Sequence, residues 1–216
     1  AKTGLFTSGR GRLSREDIIG AYLDRVTDDI LMPSPLKIVI DAGNGAASRA
    51  APALFERLGC EVVPMFCDID GNFPNHSPDT SNEANLSALC ERVVRETADL
   101  GVAFDGDGDR IACVDPQGNI IRTDKLMMIL SKDVLSRNPG RDIVYDVKCS
   151  HHLAEVIARY GGRPVLWKTG HALMKQKIRE TDAILGGEFP GHIFFAERWY
   201  GFDDGIYTAA RLAEIM

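Results

Sequence analysis

Short β-branched runs alternate with helical patterns along the chain, and this alternation restricts the fold more than any other feature. Residues 37–40 form an apolar run, Asp41-Ala42-Gly43-Asn44-Gly45 supplies a glycine turn, and residues 48–58 carry a helical pattern that stops at Gly59. The order continues with a strand over 61–66, a Pro/Asn-rich loop over 68–80, a helix over 82–97 and strands over 100–104, 111–114 and 120–121, with Asp115-Pro116-Gln117-Gly118 as a turn. It then restarts, with a helix over 123–136, a strand over 142–147, a helix capped by Ser150, a strand over 164–167 and a helix over 171–180. Strands over 183–185 and 193–195 flank a Gly-Gly-Glu-Phe-Pro-Gly-His loop, and a last helix starts at Asp204. Ahead of all this, Ser14-Arg15-Glu16-Asp17 resembles a capping box, followed by Ile18, Ile19, Tyr22, Leu23 and Val26 at helical spacing. The pattern predicts an α/β chain of two consecutive α/β domains, 14–117 and 118–216, behind a tail or linker over 1–13, with mixed, mostly parallel sheets covered by helices. In such sheets ligands bind in the loops beyond the carboxyl ends of the strands.

Composition limits what those loops can bind. The 216 residues are 44% hydrophobic and 26% charged, enough for real cores in one or two domains. The formal net charge of −6 argues against a general nucleic-acid surface, which needs clustered Lys and Arg. No window approaches the ~18 apolar residues of a membrane span, and the first residues lack a signal-peptide apolar core. Five cysteines, Cys60, Cys67, Cys90, Cys113 and Cys149, form no CxxC pair, and four of them lie in apolar segments. A reducing, cytoplasmic setting and a small-molecule partner are expected.

The loop after the 100–104 strand, Asp105-Gly106-Asp107-Gly108-Asp109-Arg110, carries three aspartates on alternate positions. In an extended strand Asp105 and Asp109 would stand about 13 Å apart, too far for one small ion. Mg²⁺ takes oxygens at about 2.1 Å, so the chain must curl, and Gly106 and Gly108 allow it to. Crowded carboxylates repel one another, which makes a divalent cation their natural neutraliser. A plain acidic hairpin turn is the simplest competing reading. An EF-hand is excluded: counting from Asp105, position 6 is Arg110 instead of glycine and position 12 is Pro116 instead of glutamate. An aspartyl-phosphate enzyme, with one aspartate as nucleophile, is a further alternative.

With Asp146-Val147-Lys148-Cys149-Ser150, Lys168-Thr169-Gly170-His171, the Gly186 to His192 loop and Glu197-Arg198-Trp199-Tyr200-Gly201-Phe202-Asp203-Asp204-Gly205-Ile206-Tyr207, this loop resembles the α-D-phosphohexomutase superfamily, and most closely its bacterial phosphomannomutase/phosphoglucomutases. The five motifs follow in the family's order along nearly the whole chain. Such enzymes have four domains and interconvert hexose 1-phosphates and 6-phosphates through a phosphoserine and a hexose bisphosphate. The resemblance implies the middle two domains, with the first and fourth domains of the same enzyme as partners: the family's T-A-S-H-N-P type serine loop has no counterpart here, and Asn75-His76-Ser77-Pro78 lies in the wrong domain. It also implies that Asp105, Asp107 and Asp109 hold Mg²⁺, the remaining position going to the phosphoserine phosphate, and that Arg110 points toward phosphate or sugar, a salt bridge to the adjoining aspartates being its structural alternative. Glu188 is then the acceptor of sugar hydroxyls, His192 the general acid/base and His171 a second active-site histidine. Lys148 and Lys168 stand at the expected strand-to-helix loops, where cations attract a phosphorylated sugar, Lys148 being the stronger of the two. Pro190 and Phe189 depart from the commoner G-E-M-S-G-H, so Pro190 replaces a sugar-binding serine hydroxyl.

Two decoys stand beside these motifs. Gly43-Asn44-Gly45-Ala46-Ala47-Ser48 is one residue short of a dinucleotide fingerprint and reads as a tight strand-to-helix turn. His151-His152 reads as solvated, because neighbouring helical side chains diverge. A stand-alone, non-catalytic metal or sugar-phosphate module is the alternative to a mutase fragment.

Overall fold

The computed structural model describes residues 9–216, so the 1–8 part of the expected tail lies outside the described residues. The first unit comprises α1 (Ile19–Thr27), β1 (Lys37–Asp41), α2 (Ala51–Arg57), β2 (Glu61–Met65), α3 (Ser87–Glu96), β3 (Leu100–Phe104), β4 (Ile111–Val114) and β5 (Ile120–Ile121). The second comprises α4 (Thr123–Arg137), β6 (Asp142–Asp146), α5 (His152–Arg159), β7 (Arg163–Trp167), α6 (His171–Thr181), β8 (Leu185–Gly187), β9 (Ile193–Phe195) and α7 (Gly205–Ile215). The sheets run β2-β1-β3-β4-β5 and β7-β6-β8-β9. In each, the first three strands are parallel and the next returns antiparallel. β5 pairs with β4, so the first sheet extends past the 115–118 turn.

Both sheets are buried on both faces, which explains why their central strands read as unbroken apolar runs. Ile38 and Ile40 of β1 face one cluster, and Val39 faces Leu86, Leu89 and Val93 on the α3 side. In the second unit Ile143 and Tyr145 face α4 and α5, whereas Val144 packs with Met174 and Ile178 of α6. The units are not separate globules. Helix α7 packs on β3 and β4 of the first sheet and on β9 of the second, so one apolar cluster runs through both. Buried Arg211 anchors this helix, with Asp133 and Glu197 at 3.0 Å and Glu214 at 3.1 Å.

Several expected boundaries move. Helix α1 starts at Ile19, with Asp17 Oδ1 accepting its N–H at 3.2 Å, and no capping box forms at Ser14. Residues 14–17 are exposed, whereas Leu23 and Val26 are buried, so tertiary burial and not the cap sets where the helix becomes stable. The helix expected over 48–58 is a 3₁₀ turn at Ala46–Arg49 followed by α2, which opens with Pro52 near its start. The 82–97 helix likewise begins as a 3₁₀ turn, Glu83–Leu86, capped by Asn82. Strand β8 lies two residues later than expected. Its Gly186 and Gly187 are poor strand formers, yet an added Cβ would sit 2.6 Å from Ile178 Cδ1 and 2.3 Å from Met127 Sδ, so two helices pack where side chains are missing. The five cysteines are free, and Cys60 and Cys113 are buried. No helix among the described residues is long and apolar enough to cross a membrane.

Candidate active site between the two return hairpins

The Asp105 to Arg110 loop and the Glu188 to His192 loop occupy the same place in the two units. Each joins a parallel strand to its antiparallel return, β3 to β4 and β8 to β9. The two loops dock on one another: Arg110 and His192 form an isolated antiparallel bridge, and Ile111 N–H donates to Gly191 O at 3.2 Å. Gly191 has φ +112°, and a Cβ there would meet Ile111 O at 2.7 Å, so only glycine fits this contact without a shift. The aspartate loop is held from two further sides. Ala46 N–H donates to Gly106 O at 2.9 Å and Gly205 N–H to Gly108 O at 3.1 Å. A Cβ on Gly45 would fall 2.6 Å from Gly106 O. The glycine turn after β1 leads from strand to helix, as the sequence suggested, and in addition serves close backbone approach to the aspartate loop.

This clamping curls the chain. One carboxylate oxygen from each of Asp105, Asp107 and Asp109 lies within 4.8 Å of the others. Asp105 is buried, Asp109 half-buried and Asp107 exposed, so the group opens to solvent on one side. Asp105 Oδ1 accepts from Gly108 N at 3.1 Å and Arg110 N at 3.0 Å, and Oδ2 from Arg110 Nε at 2.6 Å. Oδ2 keeps a lone pair for a cation. An all-carboxylate donor set fits a hard divalent ion such as Mg²⁺. Burial first, and then the charge of Asp105, push the Asp109 carboxyl up to about 6, with His192 opposing. The cost of crowding anions falls on this residue.

Arg110 is in direct salt-bridge contact with Asp105, and its Nη1 reaches Asp79 Oδ1 at 3.3 Å. Its guanidinium is therefore oriented by carboxylates on two sides and still partly exposed. Glu188 is buried, with Oε1 accepting from Gly170 N at 2.5 Å. Its Oε2 has no hydrogen-bond partner among the described residues and faces His192 Nδ1 at 3.4 Å. His192 Nε2 lies 3.4 Å from Asp109 Oδ1, so this imidazole connects the two loops. Its own burial opposes protonation, but Glu188, Asp109 and Asp203 together raise its pKa. His171, exposed at the start of α6, stacks on His192 with ring centroids 5.7 Å apart.

Phe189 and Pro190 are half-buried. They line a crevice of about 120 Å³ between the units with Thr80, Ser81 and Arg122, and Arg122 lies 4.9 Å over the Phe189 ring. Lys148 and Lys168 are both exposed at strand ends. Neither amine forms an ion pair among the described residues, and that of Lys168 sits 5.8 Å from the Trp167 ring. Three residues that sequence reasoning did not single out join the site. Lys175 donates to Asp203 Oδ1 at 2.8 Å and lies 3.2 Å from His171 Nδ1, and Asp79 holds Arg110. Lys175 stands four residues after His171, a spacing that pairs side chains on a helix, and this was its only sequence signal. His151 and His152 are both exposed, as expected, but their rings do not diverge: the centroids are 4.0 Å apart.

Comparison with known proteins agrees with this architecture. Residues 20–118 match the family model described as phosphoglucomutase/phosphomannomutase, alpha/beta/alpha domain II, and residues 122–216 match that of domain III. The chain belongs to the phosphoglucomutase/phosphomannomutase family. It is 56% identical over 209 residues to the phosphomannomutase/phosphoglucomutase of Pseudomonas aeruginosa, covering 97% of this chain and 45% of that protein. The phosphoglucomutase of Neisseria gonorrhoeae is 45% identical over 207 residues, 96% of this chain and 45% of that protein. A crystal structure of a family protein from Burkholderia thailandensis superimposes with a TM-score of 0.95 at 51% identity, covering 97% of this chain and 46% of that one. The chain spans under half the length of these relatives.

Proposed function

We propose that the chain forms the metal-binding and sugar-binding halves of a phosphohexomutase active site, which interconverts hexose 1-phosphate and 6-phosphate through a phosphoserine supplied by another domain and a bound hexose bisphosphate. The observation that carries the reading is the docking of the three-aspartate loop against the loop bearing Glu188 and His192. Asp105, Asp107 and Asp109 would hold Mg²⁺, which supplies charge neutralisation at a transferring phosphoryl group. Arg110, braced by Asp105 and Asp79, presents its free guanidinium edge to phosphate. His192, with Glu188 behind Nδ1 and Asp109 beside Nε2, is placed to hold a proton that a sugar hydroxyl gives up or takes. The buried Glu188 offers one unpartnered oxygen to a sugar hydroxyl or to His192. Lys148 and Lys168, exposed at strand ends, and His171, stacked on His192, would serve as partners for phosphate. Pro190, in the crevice, contributes shape and no hydrogen bond.

The test uses the full reading frame and this chain side by side. The full protein should isomerise glucose 1-phosphate or mannose 1-phosphate, followed by ³¹P NMR. Asp107→Asn should lower kcat by ~100-fold or more, the size of one lost electrostatic contact. The 216-residue chain should bind Mg²⁺ without turnover. Turnover by this chain alone, or full activity of the Asp107 variant, would overturn the assignment.

A further inference from the structure

Beside the three-aspartate group lies a second constellation with different chemistry. One donor atom from each of Asp109, His192 and Asp203 falls within 4.8 Å of the others. Asp203 is nine-tenths buried, and its Oδ2 has no hydrogen-bond partner among the described residues although Oδ1 is held by Lys175. A buried carboxylate oxygen without a hydrogen bond is costly, and the described residues offer it only the more distant His171 imidazole, which leaves room for a bound cation. A tetrahedral zinc-type ion with bonds of about 2.1 Å sets its donors about 3.4 Å apart. His192 Nε2 and Asp109 Oδ1 are 3.4 Å apart. Behind the ring, His192 Nδ1 faces Glu188 Oε2 at 3.4 Å, and neither atom has another hydrogen-bond partner. That is the arrangement of a metal-ligating histidine whose outer nitrogen is fixed by a carboxylate. His171 Nδ1, 3.5 Å from Asp203 Oδ2, is the next donor outward.

We propose that Asp109, His192 and Asp203 form a transition-metal site, selective for Zn²⁺-like ions over Mg²⁺, that shares only Asp109 with the three-aspartate group. The imidazole nitrogen makes the selectivity: it suits Zn²⁺ and Co²⁺, whereas Mg²⁺ prefers oxygen. Lys175 stays on the far oxygen of Asp203 and lowers the local negative charge, which weakens the site without blocking Oδ2. An ion bound there occupies the Nε2 lone pair, so it inhibits any proton transfer through His192. The site needs neither Asp105 nor Asp107, and its one shared ligand, Asp109, has two carboxylate oxygens, one for each group.

Cobalt is the probe, because ligation by nitrogen changes its visible spectrum. The exposed His151, His152 and Glu155 also bring donor atoms within 4.8 Å of one another, so the titration is done in a His151→Asn/His152→Asn background. With Mg²⁺ saturating, Co²⁺ should bind this chain one to one. His192→Gln and Asp203→Asn should each weaken binding by at least ~10-fold, the lower bound for losing even an outer partner of a metal ligand. Asp107→Asn should leave Co²⁺ binding within about 2-fold while abolishing Mg²⁺ binding. Circular dichroism confirms folding, and either of the two ligand variants suffices if the other fails to fold. Displacement of Co²⁺ by Mg²⁺, an Asp107 effect as large as that of His192, or no stoichiometric binding would each overturn the site.

Discussion

Replacing Asp109 by asparagine should make the metal-free protein more stable while removing its response to Mg²⁺, and the two effects have opposite signs for one reason. The carboxyl is pushed from its ordinary 3.8 to about 6, by burial and by the neighbouring Asp105 charge. At about 1.4 kcal/mol per tenfold change, ionising it in the folded protein costs up to ~3 kcal/mol. Its side chain is 29% exposed, so solvent screening reduces the usable figure to ~1–2 kcal/mol. Because the folded state binds this proton more tightly than the unfolded one, the penalty is absent below pH about 4, grows as pH rises and is complete above about 6. The amide of the Asp109→Asn variant has no charge to penalise. With chelator at pH 8 the variant should therefore melt about 2–8 °C above the parent, and at pH 4 the two should coincide. Added Mg²⁺ should raise the melting temperature of the parent, through binding to the folded state alone, and leave the variant unmoved. Differential scanning calorimetry across this pH range decides the matter. A variant less stable than the parent at pH 8, or equally stabilised at pH 4 and 8, would show that carboxylate crowding is not what strains this loop.

Other perturbations test the scaffold around the site. Arg211→Met should lower unfolding free energy by ~2–3 kcal/mol in urea titrations, near the low end for a broken buried pair, because Asp133 and Glu197 keep Arg137 and Glu214 keeps Arg198; a loss under ~1 kcal/mol would show that the buried guanidinium does not anchor α7. Gly191→Ala puts a Cβ 2.7 Å from Ile111 O at φ +112°, so the docked loops should separate and the Ile111 amide should exchange with solvent markedly faster in hydrogen-exchange NMR. Unchanged protection there would argue against the docked geometry. Gly45→Ala should act on the opposite side of the aspartate loop and weaken Mg²⁺ affinity measured by calorimetry, since its Cβ meets Gly106 O at 2.6 Å; an unaltered affinity would mean that this turn does not shape the metal loop.

The matching positions of the two return hairpins give the site its logic. Each unit sends its third parallel strand into a short loop and back, and α7 clamps the units so that these loops meet. The three clustered aspartates come from one loop, and Glu188 and His192 from the other, so a molecule must contact both units to use both.

Local pattern carried much of this into the sequence. The apolar runs over 100–104, 111–114, 120–121 and 193–195 coincide with β3, β4, β5 and β9, because strands of sheets covered on both faces need only short apolar stretches between turn residues. The same locality made Asp105, Asp107 and Asp109 readable as one group, since glycines between closely spaced carboxylates leave few other arrangements. Where two helices press on a strand, local rules failed: Gly186 and Gly187 form β8 because Ile178 and Met127 fill the space their side chains would have taken. Propensity describes a residue among its neighbours in the chain, whereas packing depends on neighbours that arrive from elsewhere. For the same reason Asp79 and Lys175 had no reliable sequence signal, and Asp203 was marked only as part of the 197–207 motif: they enter the site through contacts 31 and 28 residues away along the chain, or through the isolated Phe194–Asp203 bridge. Sequence alone determined the alternating elements and the spacing of the carboxylate loop, and the resemblance it carries pointed to Glu188 and His192. Tertiary structure alone decided that these loops face each other, that Glu188 is buried behind the imidazole instead of open to solvent, and that Asp203 completes a second donor set, because distance in the fold is set by the sheets and by α7 and not by spacing in the chain.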